Sequence, residues 1–162
     1  MRHRLPQQRA HFPGKYRVLS CARYQDGCVT VTEDVLAVVD AFDTALKTRD
    51  RDAAEAVWAL DRDDVSVLGS AAGEEFIGPQ AVRSCLAALT SRQTAHGWRW
   101  AERRLSVVDD VAWLIADAPW QTVQPNGDTS ERPYRVTGVL IRNGRGWKWC
   151  QYHGSEPLGS IG

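Results

Sequence analysis

Apolar residues recur with two different periods along this chain: a helical period dominates the first half, and alternation dominates the second. An apolar stripe at positions i, i+3, i+4, i+7 and i+11 predicts a first helix over Thr30–Thr48, and Thr30 followed by Glu33 fits a capping box at its start. The stripe consists of Val35, Val38, Val39, Phe42 and Leu46. Asp50 is expected to cap a second helix, from Arg51 to about Leu60.

Two short strands and a third helix follow. Val65–Gly69 and Glu75–Ile77 are predicted to pair as a hairpin across the turn between them. Gly78 and Pro79 then end the strand and begin a helix, because proline is tolerated in a first helical turn. The third helix has its own apolar stripe of Val82, Cys85, Leu86 and Leu89.

From Gly97 onward, alternation and turn signals predict four consecutive antiparallel strands. They are Trp98–Val108, Val111–Thr122, Ser130–Arg142 and Trp147–His153. Helices come first and strands later, so the predicted class is α+β, with three helices packed on one face of a curved, mostly antiparallel sheet. Alternation places Trp147, Trp149, Gln151 and His153 on one face of the last strand. We expect that face to look inward.

Composition fits a soluble globular chain of one domain, predicted over residues 30–157 with a short tail at 158–162. The net charge of +0 argues against nucleic acid or an anionic membrane as a partner. There is no apolar run of transmembrane length and no apolar secretory core, so the cytoplasm is the expected location.

The first 29 residues differ from the rest. Residues 1–30 hold six Arg or Lys and one acid, with Pro6 and Pro13 and little periodicity. We expect a disordered or loosely attached basic extension. Two alternatives stay open: an arm that binds an acidic partner, and a segment absent from the natural protein if translation starts at Val29 or Val31.

Metal and cofactor sites are not predicted. Four scattered cysteines have no C-x-x-C spacing, so free thiols are favoured over a disulfide or zinc site. Asp61, Asp63 and Asp64 have no histidine at ligand spacing. The sequence has no Gly-rich phosphate loop and no serine nucleophile motif.

Three short motifs carry a resemblance to a known family. Phe76-Ile77-Gly78 precedes the third helix, and Arg135 to Trp147, with Thr137, fits an R-x-T…G-W pattern. Trp147, His153 and Ser155 form a W…H-x-S ending. Over about Thr32–Pro157 the chain resembles SnoaL-like domains of the nuclear transport factor 2-like (cystatin-like cone) superfamily. The same ending occurs in the association domain of calcium/calmodulin-dependent protein kinase II.

The resemblance implies a cone with a deep apolar pocket, often in a homodimer with the sheets packed together. Members include ketosteroid isomerases, polyketide cyclases, dehydratases, epoxide hydrolases and non-catalytic binding or oligomerisation domains. The Tyr/Asp oxyanion pair and Asp base of the isomerases have no convincing match here, so that chemistry is not carried over. Fold alone does not assign function.

Polar residues on the predicted strands supply candidate catalytic groups. His153 suits acid–base work because imidazole titrates near neutral pH. Glu102 and Asp117 are carboxylates whose pKa would rise inside an apolar cone, as a proton-abstracting base requires. Structural alternatives stay open: a buried His153 bonded to Ser155, and carboxylates on a solvated outer face.

Candidate binding residues are mostly aromatic. Arg135, with Tyr134 beside it, could bind a carboxylate or enolate oxygen, or form a surface ion pair. The tryptophans either fill the core or line a pocket for a flat or apolar ligand. The candidate lining residues are Trp58, Trp98, Trp100, Trp113, Trp149 and Gln151.

Two functions are therefore predicted. The first is binding of a small apolar molecule, either as a binding protein or as a cofactor-free isomerase, cyclase or dehydratase of an apolar carbonyl compound. The second is a non-catalytic homodimerisation or association module. A sizeable pocket holding His153 and a carboxylate would favour the first, and a cone filled with indoles the second.

Overall fold

A computed structural model describes residues 17–21 and 27–157, with side chains from residue 31 onward. This part of the chain contains three helices, α1 Gly27–Thr48, α2 Arg51–Ala56 and α3 Pro79–Thr90. Its strands are β1 Arg17–Cys21, β2 Ser66–Leu68, β3 Glu75–Ile77, β4 Ala95–Trp98, β5 Glu102–Val108, β6 Val111–Asp117, β7 Trp120–Val123, β8 Thr129–Arg132, β9 Arg135–Asn143 and β10 Gly146–Ser155.

The strands form two sheets. The main sheet has seven strands in the order β1-β5-β6-β9-β10-β2-β3, with parallel pairing only at β1/β5 and β10/β2. The short sheet has the order β4-β7-β8 and is antiparallel. Helix α1 contacts both β4 and β10, so it packs across the two sheets. The predicted α+β class is confirmed.

The N-terminal prediction is wrong for one stretch. Arg17–Cys21 forms β1 and pairs with β5, although the first 29 residues were expected to be a disordered or loosely attached extension. Helix α1 starts at Gly27, so Thr30 lies inside the helix and is not its cap. Residues 1–16, 22–26 and the tail 158–162 lie outside the described part of the chain.

The helices otherwise follow the local signals. The carboxylate of Asp50 accepts a 2.9 Å hydrogen bond from Ala53 N and caps α2, which ends earlier than predicted. Pro79 occupies the first turn of α3. The stripe of α1 lies in the core, where Val35, Val39, Phe42 and Leu46 are each at most 4% exposed.

Each of the first three predicted long strands is broken, and the breaks lie at 99–101, 118–119 and 133–134. Pro119 and Pro133 occupy two of them and have no N–H to give to a ladder. Beyond the breaks the chain forms the short sheet, so strands predicted as continuous belong to two sheets.

The last strand carries a bulge that reverses its faces. Trp149 opposes Leu140 on β9 while Gln151 opposes Val139, so Cys150 is an extra residue in the ladder. Because side chains alternate with period two, one inserted residue moves every later side chain to the other face. Tyr152 is therefore buried on the same inner side as Trp149, and His153 is exposed on the outer side.

Gly138 on β9 makes room for the indole ring of Trp149 on β10. A Cβ at Gly138 on β9 would overlap the indole of Trp149 on β10. The ring of Trp149 stacks at 6.0 Å on Trp58, and Ala59 N donates a 2.9 Å hydrogen bond to Trp149 O. This contact ties the segment after α2 to the main sheet.

Within the described residues, no helix is long and apolar enough to cross a bilayer.

Candidate active-site cavity

A cavity of about 130 Å³ opens between α1, α3 and the two sheets. Its walls are mainly aromatic and aliphatic, and polar side chains gather where it meets solvent. The buried part is lined by Phe42, Leu46, Val67, Cys85, Leu86, Trp98, Trp120, Tyr134 and Tyr152. The exposed lining residues, which we call the cavity mouth, are Ser70, Glu74, Ala88, Arg92 and Arg132.

Aromatic rings in mutual contact build one wall. The ring centroids of Trp98 and Trp120 lie 5.3 Å apart in an edge-to-face arrangement. Trp98 lies 5.7 Å from Tyr152, and Trp120 lies 5.8 Å from Tyr134. Such pairs hold each other in place by packing and quadrupole interaction. The wall is therefore pre-formed, as ligand cavities usually are.

Two tyrosines bring hydroxyl groups to this wall. A Cβ at Gly154 would overlap the Tyr134 hydroxyl, so glycine at this position lets the phenol pack against β10. Burial is the main cause that raises the pKa of Tyr152 well above its ordinary value, and the neighbouring Tyr134 adds to it. Tyr152 thus stays protonated at neutral pH and can act as a neutral hydrogen-bond donor.

A buried carboxylate fixes the position of Trp98. Asp43 on α1 is 7% exposed, and its Oδ1 accepts a 2.8 Å hydrogen bond from Trp98 N. Lys47 Nζ donates to Asp43 Oδ2 at 2.7 Å and to Trp98 O at 2.9 Å. Gly97 leaves room for this arrangement, because a Cβ there would overlap both side chains. Helix α1 thereby sets the position of one cavity wall.

His96 lies behind the wall rather than in the cavity. It stacks on Trp120 at 5.4 Å, and its ring nitrogens contact Thr94 Oγ1 at 2.8 Å and Thr122 Oγ1 at 3.3 Å. Burial lowers the pKa of His96, and the charges of Arg92 and Arg132 lower it further. The imidazole is therefore held neutral against the cavity wall.

The predicted catalytic set lies on the other side of the main sheet, so its predicted placement in the pocket is wrong. His153 is exposed because the bulge at Cys150 turns it away from the Trp149 side. Glu102 and Asp117 are also exposed and oppose each other across β5 and β6. Glu102 begins β5 directly after the break at 99–101, and Asp117 alternates with the buried residues of β6. Both side chains are therefore on the outer face of the main sheet.

Arg135 lies on the same outer face. It is paired with Asp117 at 3.8 Å, with both side chains more than 60% exposed, so the surface ion-pair alternative describes it. Trp113 is 40% exposed on this face, and Gln151 is half-buried between Val139 and Ser66. None of these three residues lines the cavity.

The remaining predicted binding residues divide between core and cavity. Trp58 and Trp149 are core residues, at 3% and 1% exposure, and do not line the cavity. Trp100 is half-buried, with its ring 5.3 Å from that of Trp98. Trp98 and Tyr134 do line the cavity, and their role in binding stays a prediction.

Several cavity residues were missed by the sequence reasoning. Tyr152 would be found only by placing the bulge correctly, since strict alternation puts it outside. Trp120 lies on the inner face of a strand whose alternation was recognised but whose concave side was not. The mouth residues Glu74, Arg92 and Arg132 lie at strand ends or in connections, which carry no periodic signal.

The chemistry available in the cavity is that of neutral donors in an apolar space. The Trp98 indole N–H is buried next to the Tyr152 hydroxyl, its hydrogen-bonding neighbour, although it makes no bond of ideal geometry within the described residues. The Cys85 thiol lines the cavity, and burial raises its pKa to about 11, so it is not a thiolate at neutral pH. Within the described residues, no cluster of three or more His, Cys, Asp or Glu side chains is arranged to hold a metal ion.

Comparison with known proteins identifies the class of this fold and cavity. The model of the SnoaL-like domain family matches residues 35–159. The chain belongs to the SnoaL-like domain family, within the nuclear transport factor 2-like fold. No curated protein sequence matches it.

Solved structures show the same fold at low sequence identity. A proposed dehydratase of the NTF2-like family from Streptomyces avermitilis is 20% identical, with a TM-score of 0.72 over 81% of this chain and 99% of that one. A proposed aromatic ring hydroxylase from Novosphingobium aromaticivorans is 18% identical, with a TM-score of 0.67 over 80% and 91%. A proposed calcium/calmodulin-dependent protein kinase II association domain from Xanthomonas campestris is 16% identical, with a TM-score of 0.66 over 93% and 99%.

Proposed function

We propose that the protein binds a small, single-ring molecule carrying a hydrogen-bond acceptor inside the cone cavity. The observation that carries this proposal is an apolar, ring-walled cavity of about 130 Å³ with the protonated Tyr152 hydroxyl in its lining. An apolar cavity of about 150 Å³ is known to hold one benzene ring, so one ring is the right scale. The acceptor of the ligand would bond to the Tyr152 hydroxyl, which interacts with Tyr134 and Trp98 in the absence of a ligand.

Catalysis would use the same groups. A carbonyl oxygen bonded to Tyr152 would be polarised by a neutral donor, as in isomerisation, cyclisation or dehydration of a carbonyl compound. Glu74 is the carboxylate among the lining residues, and its Oε2 accepts a 3.0 Å hydrogen bond from Ala71 N at the mouth. It would be the proton acceptor of such a reaction. His153, Glu102 and Asp117 are not candidates for that role, because they are on the outer face.

The experiment is a thermal-shift titration with cyclohexanone and toluene. Both ligands should raise the Tm of the wild type, because a ligand that binds only the folded state stabilises it. Tyr152→Phe should weaken cyclohexanone binding about threefold to tenfold and leave toluene binding unchanged, since it removes one neutral hydrogen bond. Leu89→Trp, which fills the cavity from a half-buried lining position, should abolish both shifts.

His153→Ala is the matched control, because it changes an exposed residue on the opposite side of the sheet. It should keep the wild-type response to both compounds. If no single-ring compound shifts the wild type, or if Leu89→Trp responds like the wild type, the cavity is not a binding site.

A second function, self-association through the outer face of the main sheet, is favoured by a specific feature. Val111, Trp113 and Ile115 of β6 are each at least 40% exposed there. Charged residues of both signs flank them, including Arg135 and Asp117. In a two-fold symmetric dimer, a surface that carries both positive and negative side chains can pair each charge with an opposite charge of the second copy. The proposed occupant is a second copy of this chain.

A further inference from the structure

Two of the three charged side chains at the cavity mouth already have partners. Arg132 Nη1 lies 2.8 Å from Glu156 Oε1 in an ion pair. Glu74 Oε2 accepts its hydrogen bond from the backbone N–H of Ala71. The third charged side chain at the mouth is Arg92, and its contacts differ from those of Arg132 and Glu74.

Arg92 directly follows Ser91, the C-cap residue of α3. Its side chain lines the cavity and is exposed to solvent. No carboxylate in the described ranges is paired with it at ion-pair distance. Its charge also acts on both sides of the wall, because it lowers the pKa of His96 and opposes the rise in the pKa of Cys85. Arg92 is therefore a cation at the mouth whose field enters the cavity.

We propose that the ligand of this cavity is a single-ring monocarboxylate whose carboxylate binds Arg92 while its ring occupies the apolar part. This inference rests on the proposed binding function. A guanidinium matches a carboxylate with two parallel hydrogen bonds. A cavity of about 130 Å³ leaves little room beyond one ring, so the anionic group must stay at the mouth, where it keeps part of its hydration.

The other charges at the mouth limit the ligand to one negative charge. Glu74 lines the mouth, and Glu156 is held there by Arg132. Because Arg132 is already paired with Glu156, Arg92 is the cation left among the described mouth residues to neutralise a ligand, and it balances one negative charge, whereas a phosphate carries up to two. The mouth therefore favours a carboxylate over a phosphate ester.

The test compares benzoate with benzamide, which has nearly the same shape and no charge. Wild type should bind benzoate about tenfold more tightly than benzamide, roughly the contribution of one charge-assisted hydrogen-bonded pair at a partly exposed site. Added salt should reduce the affinity for benzoate and leave that for benzamide unchanged. Affinities come from calorimetric titration and from thermal shift.

Arg92→Gln should remove the preference, so that both probes bind with the affinity of benzamide. Arg92→Lys keeps the charge and should retain part of the preference. Arg83→Gln is the matched control, because Arg83 lies on α3, the helix that Arg92 follows, does not line the cavity and pairs with Glu55 at 3.6 Å. It should behave as wild type toward both probes.

Each remaining result overturns the inference in a distinguishable way. If benzamide binds wild type as tightly as benzoate, or Arg92→Gln keeps the benzoate preference, the carboxylate site is wrong while ring binding stands. If benzoate, benzamide and cyclohexanone all fail to bind, the proposed function fails together with the inference.

Discussion

His96 shows how one buried side chain can give this fold a pH dependence. Both ring nitrogens contact threonine hydroxyls, and the ring stacks on Trp120 of the cavity wall. Its folded-state pKa is lowered below the unfolded value of about 6.5. A group of this kind stabilises the fold fully above its unfolded pKa, and the stabilisation is lost as pH falls from about 6.5 toward the folded pKa.

We therefore expect the free energy of unfolding of the wild type to fall between about pH 7 and pH 5 by more than that of His96→Gln. Glutamine can still hydrogen-bond Thr94 but takes up no proton in this range. Urea unfolding at a series of pH values measures the difference. His153→Gln, at an exposed position, should keep the wild-type slope. Equal slopes for wild type and His96→Gln would contradict this account.

The sequence predicted single site residues unevenly. Trp98 was predicted as a lining residue and Tyr134 as a binding residue beside Arg135, and both side chains line the cavity. Tyr152 and His153 were exchanged, because one bulged residue at Cys150 reverses the two faces and leaves no signature in the alternation. Arg92 was not predicted, because a cation after a helix end looks the same in sequence whether it faces solvent or a cavity.

Helix α1 and strand β4 are joined by the contact of Asp43 with Lys47 and Trp98. Removing the carboxylate leaves the Trp98 N–H without its acceptor in a buried position, which costs about 1–3 kcal/mol. We expect Asp43→Ala to lower the free energy of unfolding by that amount and to weaken ligand binding, because Trp98 is a cavity wall. Urea unfolding and the cyclohexanone titration measure the two effects.

Asp34→Ala is the control for this change, because Asp34 is an exposed carboxylate on the same helix. It should cost less than about 0.5 kcal/mol, as surface substitutions usually do. A stability for Asp43→Ala within that same range would show that the contact does not hold β4 to α1.

Elements were predicted best where one local period decides the structure. The stripe of α1 and the proline of α3 place both helices, and Gly78 marks the end of β3. Strand ends were predicted less well. Trp98–Val108 and two later stretches were expected as single strands, yet each divides between two sheets. The division depends on three breaks aligning in space, which no single stretch of sequence encodes.

At the scale of the whole molecule, the outer face of the main sheet predicts a dimer. We expect the wild type to elute as a dimer in size exclusion with light scattering, and Trp113→Asp to be monomeric, because a charge in an apolar contact remains without a partner. Ala41→Asp is the control, because it adds the same charge at an exposed position of α1, the helix that packs on the opposite, inner side of the main sheet. A monomeric wild type, or a dimeric Trp113→Asp, would contradict this assembly.

The α+β class and the family were both predictable at this scale, since the order of helices and strands and the short motifs point to the same cone. The position of the cavity within the cone was not. The position depends on which face of each strand is concave. Alternation divides the side chains of a strand between two faces but does not show which face is concave, because that is decided by tertiary packing.

The aligned breaks at 99–101, 118–119 and 133–134 also bear on how such a protein can change over evolutionary time. The short sheet contributes Trp98, Trp120 and Arg132 to the cavity, and the backbone passes between it and the main sheet at these three interruptions. Its β7–β8 turn, Pro125 to Asp128, is exposed. Residues can be inserted or exchanged there without shifting any strand register of the main sheet. Changes in this turn can therefore accumulate on the sheet that carries Arg132 of the cavity mouth, while the strand pairing of the main sheet is kept.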